Sequence, residues 1–264
     1  PIYPPGELKS LAVIISKDIL GLSELDCYTG KYSSLPANKK ELLTNAIDRL
    51  KQFEPIQYIQ GHAPFYGYSF FVAPGVLIPR PDTEELVELI ISNSSNNSCI
   101  LDIGTGSGCI AITLSKKIPG AVTEGWDISE EALEIARRNN KELNANVTFR
   151  QVDILNYIPE KKKFDVIVSN PPYITEKEKA EMHRNVLEWE PDSALFVPDN
   201  DPLLFYRKIA ETGKTLLSDT GKLYFEINQY YGKETSQLLE LLNYKNIRII
   251  KDLYGNERII EATL

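Results

Sequence analysis

From residue 98 to the end, short runs of strand-forming residues alternate with longer runs at helical spacing. The pattern predicts a strand over 99–103, a helix over 108–118, a strand over 121–128 and a helix over 129–143. Strands over 147–152 and 164–169 follow, then a helix over 202–217, a strand over 222–227 and a helix over 232–242. Two last strands, over 247–251 and near 258–263, close the chain. Such alternation predicts an α/β fold, a parallel sheet of seven strands wrapped by helices. The turn at Gly255–Asn256 is too short for a crossover, so the last strand must be antiparallel.

The first third reads differently. Leu8, Leu11, Ala12, Ile15 and Ile19 recur at helical spacing. After the polar break Gly30–Lys31–Tyr32–Ser33–Ser34, Asn38 caps a second helix with an apolar stripe of Leu42, Leu43, Ala46, Ile47 and Leu50. Pro55 opens a short turn that Gly61 ends. The aromatic stretch over 63–79, broken by Gly67, Pro74 and Gly75, predicts a β-hairpin. Three parts result: a small helical domain over 1–62, a hairpin linker over 63–79 and a larger α/β domain over 80–264. Asp82 with Glu85 predicts a capping box at the head of the first helix of that domain.

Three cysteines (Cys27, Cys99 and Cys109) without a C-x-x-C pair, and only two histidines (His62 and His183), argue against a disulfide framework, a zinc site and a histidine triad. No metal is expected, and the thiols suit a reducing cytoplasm. No apolar run is long enough for a membrane helix or a signal peptide. Pro1 opens the sequence and Met182 is the one methionine, so a chain trimmed of its initiator is expected. Residues 1–80 carry 8 Lys or Arg against 7 Asp or Glu, and the remainder carries 21 against 30. That acidic excess disfavours direct binding of nucleic acid, which depends on neutralising phosphates.

The first strand of the sheet runs into Asp102–Ile103–Gly104–Thr105–Gly106–Ser107–Gly108. Glycines there let the backbone turn sharply and approach a ligand at the carboxyl edge of the sheet. The dinucleotide fingerprint fails at Cys109, no Gly-Lys-Ser/Thr follows as in a P-loop, and Ser107 lacks the flanking glycines of a nucleophile elbow. Asp127, at the end of the next strand, can accept hydrogen bonds from both hydroxyls of a ribose. Asp153, at the end of the third, can accept from an adenine amine. The three positions together resemble the S-adenosylmethionine site of class I methyltransferases.

After the fourth strand comes Asn170–Pro171–Pro172–Tyr173. Two prolines fix φ and remove two donors, which leaves rigid carbonyl acceptors. The Asn170 side-chain oxygen and the Pro171 carbonyl can each accept one N–H of a planar –NH₂ group, and Tyr173 offers a flat face to it. In this position N-P-P-Y resembles the amino-methyltransferases, whose acceptors are adenine or guanine amines or a glutamine amide. An amide nitrogen is a poor nucleophile, so such a site must orient and desolvate rather than supply a base. The leaving proton then passes to water, and His62 and His183 are expected at the surface or in packing.

The segments Glu54–Pro55–Ile56–Gln57–Tyr58–Ile59–Gln60–Gly61, Phe65–Tyr66–Gly67 and Val76–Leu77–Ile78–Pro79–Arg80–Pro81–Asp82–Thr83–Glu84 narrow the choice. With Glu226 and Asp252–Gly255–Arg258 they resemble the release-factor glutamine methyltransferases, the HemK/PrmC family, over nearly the whole chain. The resemblance implies a Rossmann-like class I sheet and N5-methylation of the Gly-Gly-Gln glutamine in bacterial-type class I peptide chain release factors. S-adenosylmethionine would be the donor and S-adenosylhomocysteine the product. It also implies that the helical domain helps hold the release factor; a monomer is expected because nothing in the sequence demands more, and the cytoplasm because of the free thiols. By position, Gly104, Thr105, Gly106, Ser107, Gly108, Asp127, Asp153, Leu155, Asn170 and Thr83 would contact the cofactor. Asn170, Pro171, Pro172 and Tyr173 would hold the glutamine, with Asn170, Pro171 and Tyr173 catalytic. Leu155 stands where that family often has an aromatic residue. Arg80 pairs either with the cofactor carboxylate or with Asp82 or Glu84, and Glu226 either orients the turn or caps a helix. A nucleobase methyltransferase and a non-catalytic nucleotide-binding module are the alternatives.

Overall fold

The structure is a computed structural model and describes residues 2–23, 25–26, 29, 35–160 and 164–264. The break expected over 30–34 and Cys27 lie outside the described residues. Helix α1, Pro5–Ile14, continues into a wider turn over Ile15–Ile19, and α2 spans Ala37–Lys51. Leu11, Ile15, Leu20, Leu22, Leu35 and Leu50 form the core of this helical part. Asn38 is not the cap of α2. Pro36 takes that place, its fixed φ starts the helix two residues early, and Asn38 falls in the first turn. Of the expected stripe, Ala46 and Leu50 are buried and Leu43 partly so, while Leu42 and Ile47 are exposed.

Helix α3, Ile56–Gln60, ends on Gly61 at φ +76, the left-handed conformation that closes a helix. Strands β1, His62–Phe65, and β2, Tyr68–Phe71, then pair antiparallel. Tyr66 and Gly67 both have positive φ, the two-residue turn whose twist matches a hairpin. Residues 72–80 continue as an irregular connection rather than as strand. The hairpin is anchored by the buried Asn139, which accepts from Phe71 N and donates to Phe71 O and Ser107 O. One side chain thus ties the linker to the glycine loop. Helix α4, Pro81–Asn93, starts with Pro81 in its first turn. Asp82 therefore lies inside the helix, and no side chain caps it.

Among the described residues the central sheet has seven strands: β3 Cys99–Ile103, β4 Val122–Asp127, β5 Val147–Gln151, β6 Phe164–Ser169, β9 Leu217–Glu226, β10 Lys245–Lys251 and β11 Glu257–Thr263. The short pair β7 Ile174–Thr175 and β8 Phe196–Val197 stands apart. The order across the sheet is β10-β11-β9-β6-β3-β4-β5, parallel except for β11, which is antiparallel to both neighbours. Helices α5, Cys109–Lys117, and α6, Glu130–Glu142, follow β3 and β4. Ser129 caps α6 by accepting from Ala132 N. Two layers cover the sheet. Leu86, Val87 and Ile90 of α4 pack with Ile110, Ile112 and Leu114 of α5 on one face. Helices α9, Leu204–Leu216, and α10, Gly232–Leu241, cover the other through Tyr206, Ile209, Leu216 and Leu239. Each such aliphatic side chain contributes about 1.5–3 kcal/mol by leaving water. The strand order reverses between β3 and β6, which places a crevice at their carboxyl ends.

Candidate active site

The glycine loop leaves β3 at that reversal. Gly104, Gly106 and Gly108 have φ of +75°, +52° and +80°, a region that side chains with a Cβ avoid. Gly104 N and Thr105 N donate to Trp126 O at 2.8 and 3.0 Å, folding the loop over the end of β4. Two carboxylates hold it there. Asp102 Oδ2 accepts from the Thr105 hydroxyl at 2.7 Å and from Ala111 N at 3.3 Å. Asp127 accepts from Gly106 N and Ser129 N, each at 2.9 Å. Burial pushes Asp102 up to about 7 and also raises Asp127.

A cavity of about 260 Å³ opens above the loop. Gly104, Gly106, Asp127, Asp153, Leu155, Asn170, Pro171 and Pro172 line it, so most expected cofactor positions come together. The carboxylate of Asp153 also closes its own turn, accepting from Leu155 N at 3.0 Å and Asn156 Nδ2 at 2.6 Å. Thr105, Ser107 and Gly108 are not in the lining. Thr105 and Ser107 are buried beneath the loop, and a Cβ on Gly108 would meet Ile112, Ala136 and Phe149 at 3.0–3.3 Å. Gly106 is the opposite case: a Cβ there would meet nothing within 4 Å. Thr83, expected at the cofactor, is also buried behind the lining.

A second cavity, about 310 Å³, lies on the other side of the N-P-P-Y turn. Leu77, Asn170, Pro171 and Ala194 line both cavities, Pro172 faces the first and Tyr173 the second. The outer wall of the second cavity comes from residues 174–195. There, a 3₁₀ turn over Glu176–Glu181 precedes α7, Arg184–Trp189, and α8, Asp192–Leu195. This wall, with Met182, His183 and Val186, was not legible in the sequence pattern; His183, exposed as expected, stands in it. The one available signal was the long stretch without a strand run between Tyr173 and Lys222.

Glu226 closes the site from below. It is buried at the end of β9, accepts from Thr83 Oγ1 at 2.6 Å and from Tyr173 Oη at 3.1 Å, and so orients the turn. Burial raises its pKa, against those two bonds and the nearby Arg258. Asn170 Nδ2 donates to Thr83 Oγ1 at 3.4 Å. Arg80 pairs with neither Asp82 nor Glu84 but with the buried Glu190 at 2.6 Å, whose other oxygen accepts from Ile78 N at 3.1 Å. The linker is thereby pinned to the wall segment. Arg258 instead bridges Asp252 at 3.1 Å and Asp82 at 3.5 Å.

Comparison with known proteins decides between the alternatives. A family model described as PrmC N-terminal domain matches residues 7–61, and one described as methyltransferase small domain matches residues 81–189. The release factor glutamine methyltransferase of Bacteroides thetaiotaomicron is 56% identical over 262 residues, 99% of this chain and 94% of the relative. That of Flavobacterium psychrophilum is 47% identical, covering 99% of this chain and 93% of the relative. The chain belongs to the release factor glutamine methyltransferase family. Its fold is that of the class I methyltransferases. A methyltransferase from Pyrococcus furiosus superposes with a TM-score of 0.57 at 20% identity, covering 83% of this chain and 98% of that one. For this family member, no described helix is long and apolar enough to cross a membrane.

Proposed function

We propose that the chain moves a methyl group from S-adenosylmethionine to the N5 amide nitrogen of the Gly-Gly-Gln glutamine of a class I peptide chain release factor. The observation that carries this reading is two cavities sharing one wall, Asn170–Pro171. One has the glycine cradle and acidic rim that suit a nucleoside, and the other, lined by Asn170, Pro171 and Tyr173, offers acceptors and a flat face to a planar –NH₂ group. The relatives, release factor glutamine methyltransferases, favour a glutamine over a nucleobase. On the same reading the enzyme acts as a cytoplasmic monomer, without a metal and without touching nucleic acid.

The residues present fit the donor. Gly106 leaves open space where any Cβ would stand, and each oxygen of Asp127 and Asp153 keeps lone-pair capacity for a ligand donor beyond its present bond. Gly104, Gly106, Asp127, Asp153, Leu155 and Asn170 would hold it. When bound, it supplies a sulfonium-activated methyl group. Asn170 Oδ1 and the Pro171 carbonyl accept the two amide N–H groups and fix the nitrogen in the shared wall. These bonds strengthen as the nitrogen becomes positive, which lowers the barrier rather than merely holding the ground state. The Tyr173 hydroxyl is tied to Glu226, so its ring is a fixed wall of the acceptor cavity. Orientation of this kind supplies up to about 7–11 kcal/mol in well-arranged reactions. Incubation with labelled S-adenosylmethionine and purified release factor, followed by mass spectrometry of the Gly-Gly-Gln peptide, tests the reading. A single methyl on the glutamine is expected; label elsewhere or none refutes it.

A further inference from the structure

The side-chain amide of Asn170 works in only one orientation. With Oδ1 toward the acceptor cavity it accepts an N–H. Turned by 180° about Cβ–Cγ, it presents its own N–H groups to a –NH₂ group, donor against donor. Nitrogen and oxygen are nearly the same size, so packing alone does not select between the two. Something must distinguish them by polarity.

We propose that Glu226 is a positioning residue that fixes the Asn170 amide with its oxygen toward the acceptor, acting through the Thr83 hydroxyl. This inference rests on the glutamine-methylation reading and deepens it. Thr83 has one hydroxyl proton. At 2.6 Å from Glu226 Oε2, a carboxylate that only accepts, that proton points to Glu226. The Thr83 oxygen is then left as an acceptor on its other side, where Asn170 Nδ2 stands at 3.4 Å. The chain of bonds runs one way, Asn170 N–H to Thr83 to Glu226, and Oδ1 is the atom left for the cavity. The last bond is long, so it contributes direction more than strength. Glu226 Oε1 meanwhile accepts from Tyr173 Oη at 3.1 Å. One carboxylate therefore sets both ends of the N-P-P-Y turn. Thr83 and Glu226 lie on α4 and β9, remote in sequence from the turn, and neither lines either of the two cavities at the turn.

The test uses the full chain, S-adenosylmethionine and purified release factor. Thr83→Val keeps the shape and removes the hydroxyl. It is expected to lower kcat about 10- to 100-fold, the scale of a misplaced reactive group. The dissociation constant for S-adenosylmethionine, measured by calorimetry, should stay within about twofold. Thr83→Ser, which keeps the hydroxyl, should restore kcat. Glu226→Gln should lower kcat by a similar factor, and the double variant should be no worse than either single one, because both break one chain of bonds. If Thr83→Val retains kcat, or weakens donor binding while kcat at saturation is unchanged, the relay is wrong and Thr83 serves the donor. A second readout needs no turnover. The Asn170 side-chain ¹H–¹⁵N signal, identified by its loss in Asn170→Asp, should move in both Thr83→Val and Glu226→Gln. An unmoved signal overturns the relay whatever the wild type methylates, whereas failure of the wild type to methylate release factor overturns the proposed function instead.

Discussion

Replacing Gly106 with alanine should leave a folded protein that no longer holds the donor, and Gly108 supplies the control. Both residues have left-handed φ, so alanine at either costs about 1–2 kcal/mol in backbone strain. For a chain of this size that lowers Tm by only about 2–8 °C. At Gly106 nothing else is disturbed, because the added Cβ has no neighbour within 4 Å. It stands instead in the cavity, where a ligand seated on the loop must retreat. Overpacking of that kind costs about 1–3 kcal/mol, which is roughly a 10- to 100-fold loss of affinity. At Gly108 the added Cβ meets Ile112 at 3.0 Å, Ala136 at 3.2 Å and Phe149 at 3.3 Å, all away from the cavity. Strain and overpacking there sum to about 2–5 kcal/mol of stability, with the ligand face intact. Thermal unfolding with and without S-adenosylmethionine separates the two. At a hundredfold excess over the wild-type dissociation constant, ligand stabilises the wild type by about 2.7 kcal/mol. It should stabilise a variant with hundredfold weaker binding by only about 0.4 kcal/mol. Gly108→Ala should melt lower than Gly106→Ala yet keep its ligand-induced rise. A full rise in Gly106→Ala would refute the placement of the donor over the loop.

Asn170→Ala should lower kcat for release-factor methylation by about 10²- to 10³-fold, the scale of a lost transition-state hydrogen bond, with an unchanged Tm. Near-normal turnover would contradict its role. Asp127→Asn turns one acceptor of the loop into a donor; it should weaken donor binding by at least about tenfold in calorimetry and leave the KM for release factor within about twofold. Asp102 gives a pH prediction. Its folded pKa of about 7 lies above the ordinary 3.8, so its contribution to stability is complete below pH 3.8 and is lost as pH rises through 7. The difference is worth roughly 4 kcal/mol. Asp102→Asn keeps both accepted bonds and should lose much less stability than the wild type between pH 4 and pH 8 in urea titrations; equal losses would show that other groups carry that dependence.

The parts of the fold legible in the sequence were those set by periodicity. The strands at 99–103 and 164–169 and the helices after the glycine loop lie where their patterns put them. Helix starts were misplaced where a proline outweighed a polar cap, at Pro36 against Asn38 and at Pro81 against Asp82. Strand β9 begins at Leu217, not near 222: Leu217 pairs with Phe164, and Ser218–Gly221 bulge out before the pairing resumes at Val166 and Lys222. The N-P-P-Y turn was legible because proline chemistry is local. The acceptor wall over 174–195 was not, since its short helices carry no sustained period and acquire meaning only when folded against the turn. Arg80 with Glu190 was likewise invisible, being a pair 110 residues apart.

Three carboxylates at the carboxyl ends of β3, β4 and β9, Asp102 and Glu226 buried and Asp127 half-buried, explain why this edge of the sheet is a preformed site. Asp102 grips the underside of the glycine loop, Asp127 its apex at Gly106, and Glu226 the Thr83 and Tyr173 hydroxyls behind the proline turn. Burial raises the pKa of all three, so each opposes its own ionisation and is stabilised chiefly by the donors it holds. Loops without sheet pairing would otherwise leave backbone N–H groups to water, and water in the shared wall would compete for the amide that the proposed function places on Asn170 and Pro171. None of the three stands in the acceptor cavity, where a base would have to be. Their arrangement is that of anchors. On the proposed reading it matches a reaction whose difficulty is a delocalised lone pair, one that fixed acceptors at Asn170 and Pro171 would ease by orientation.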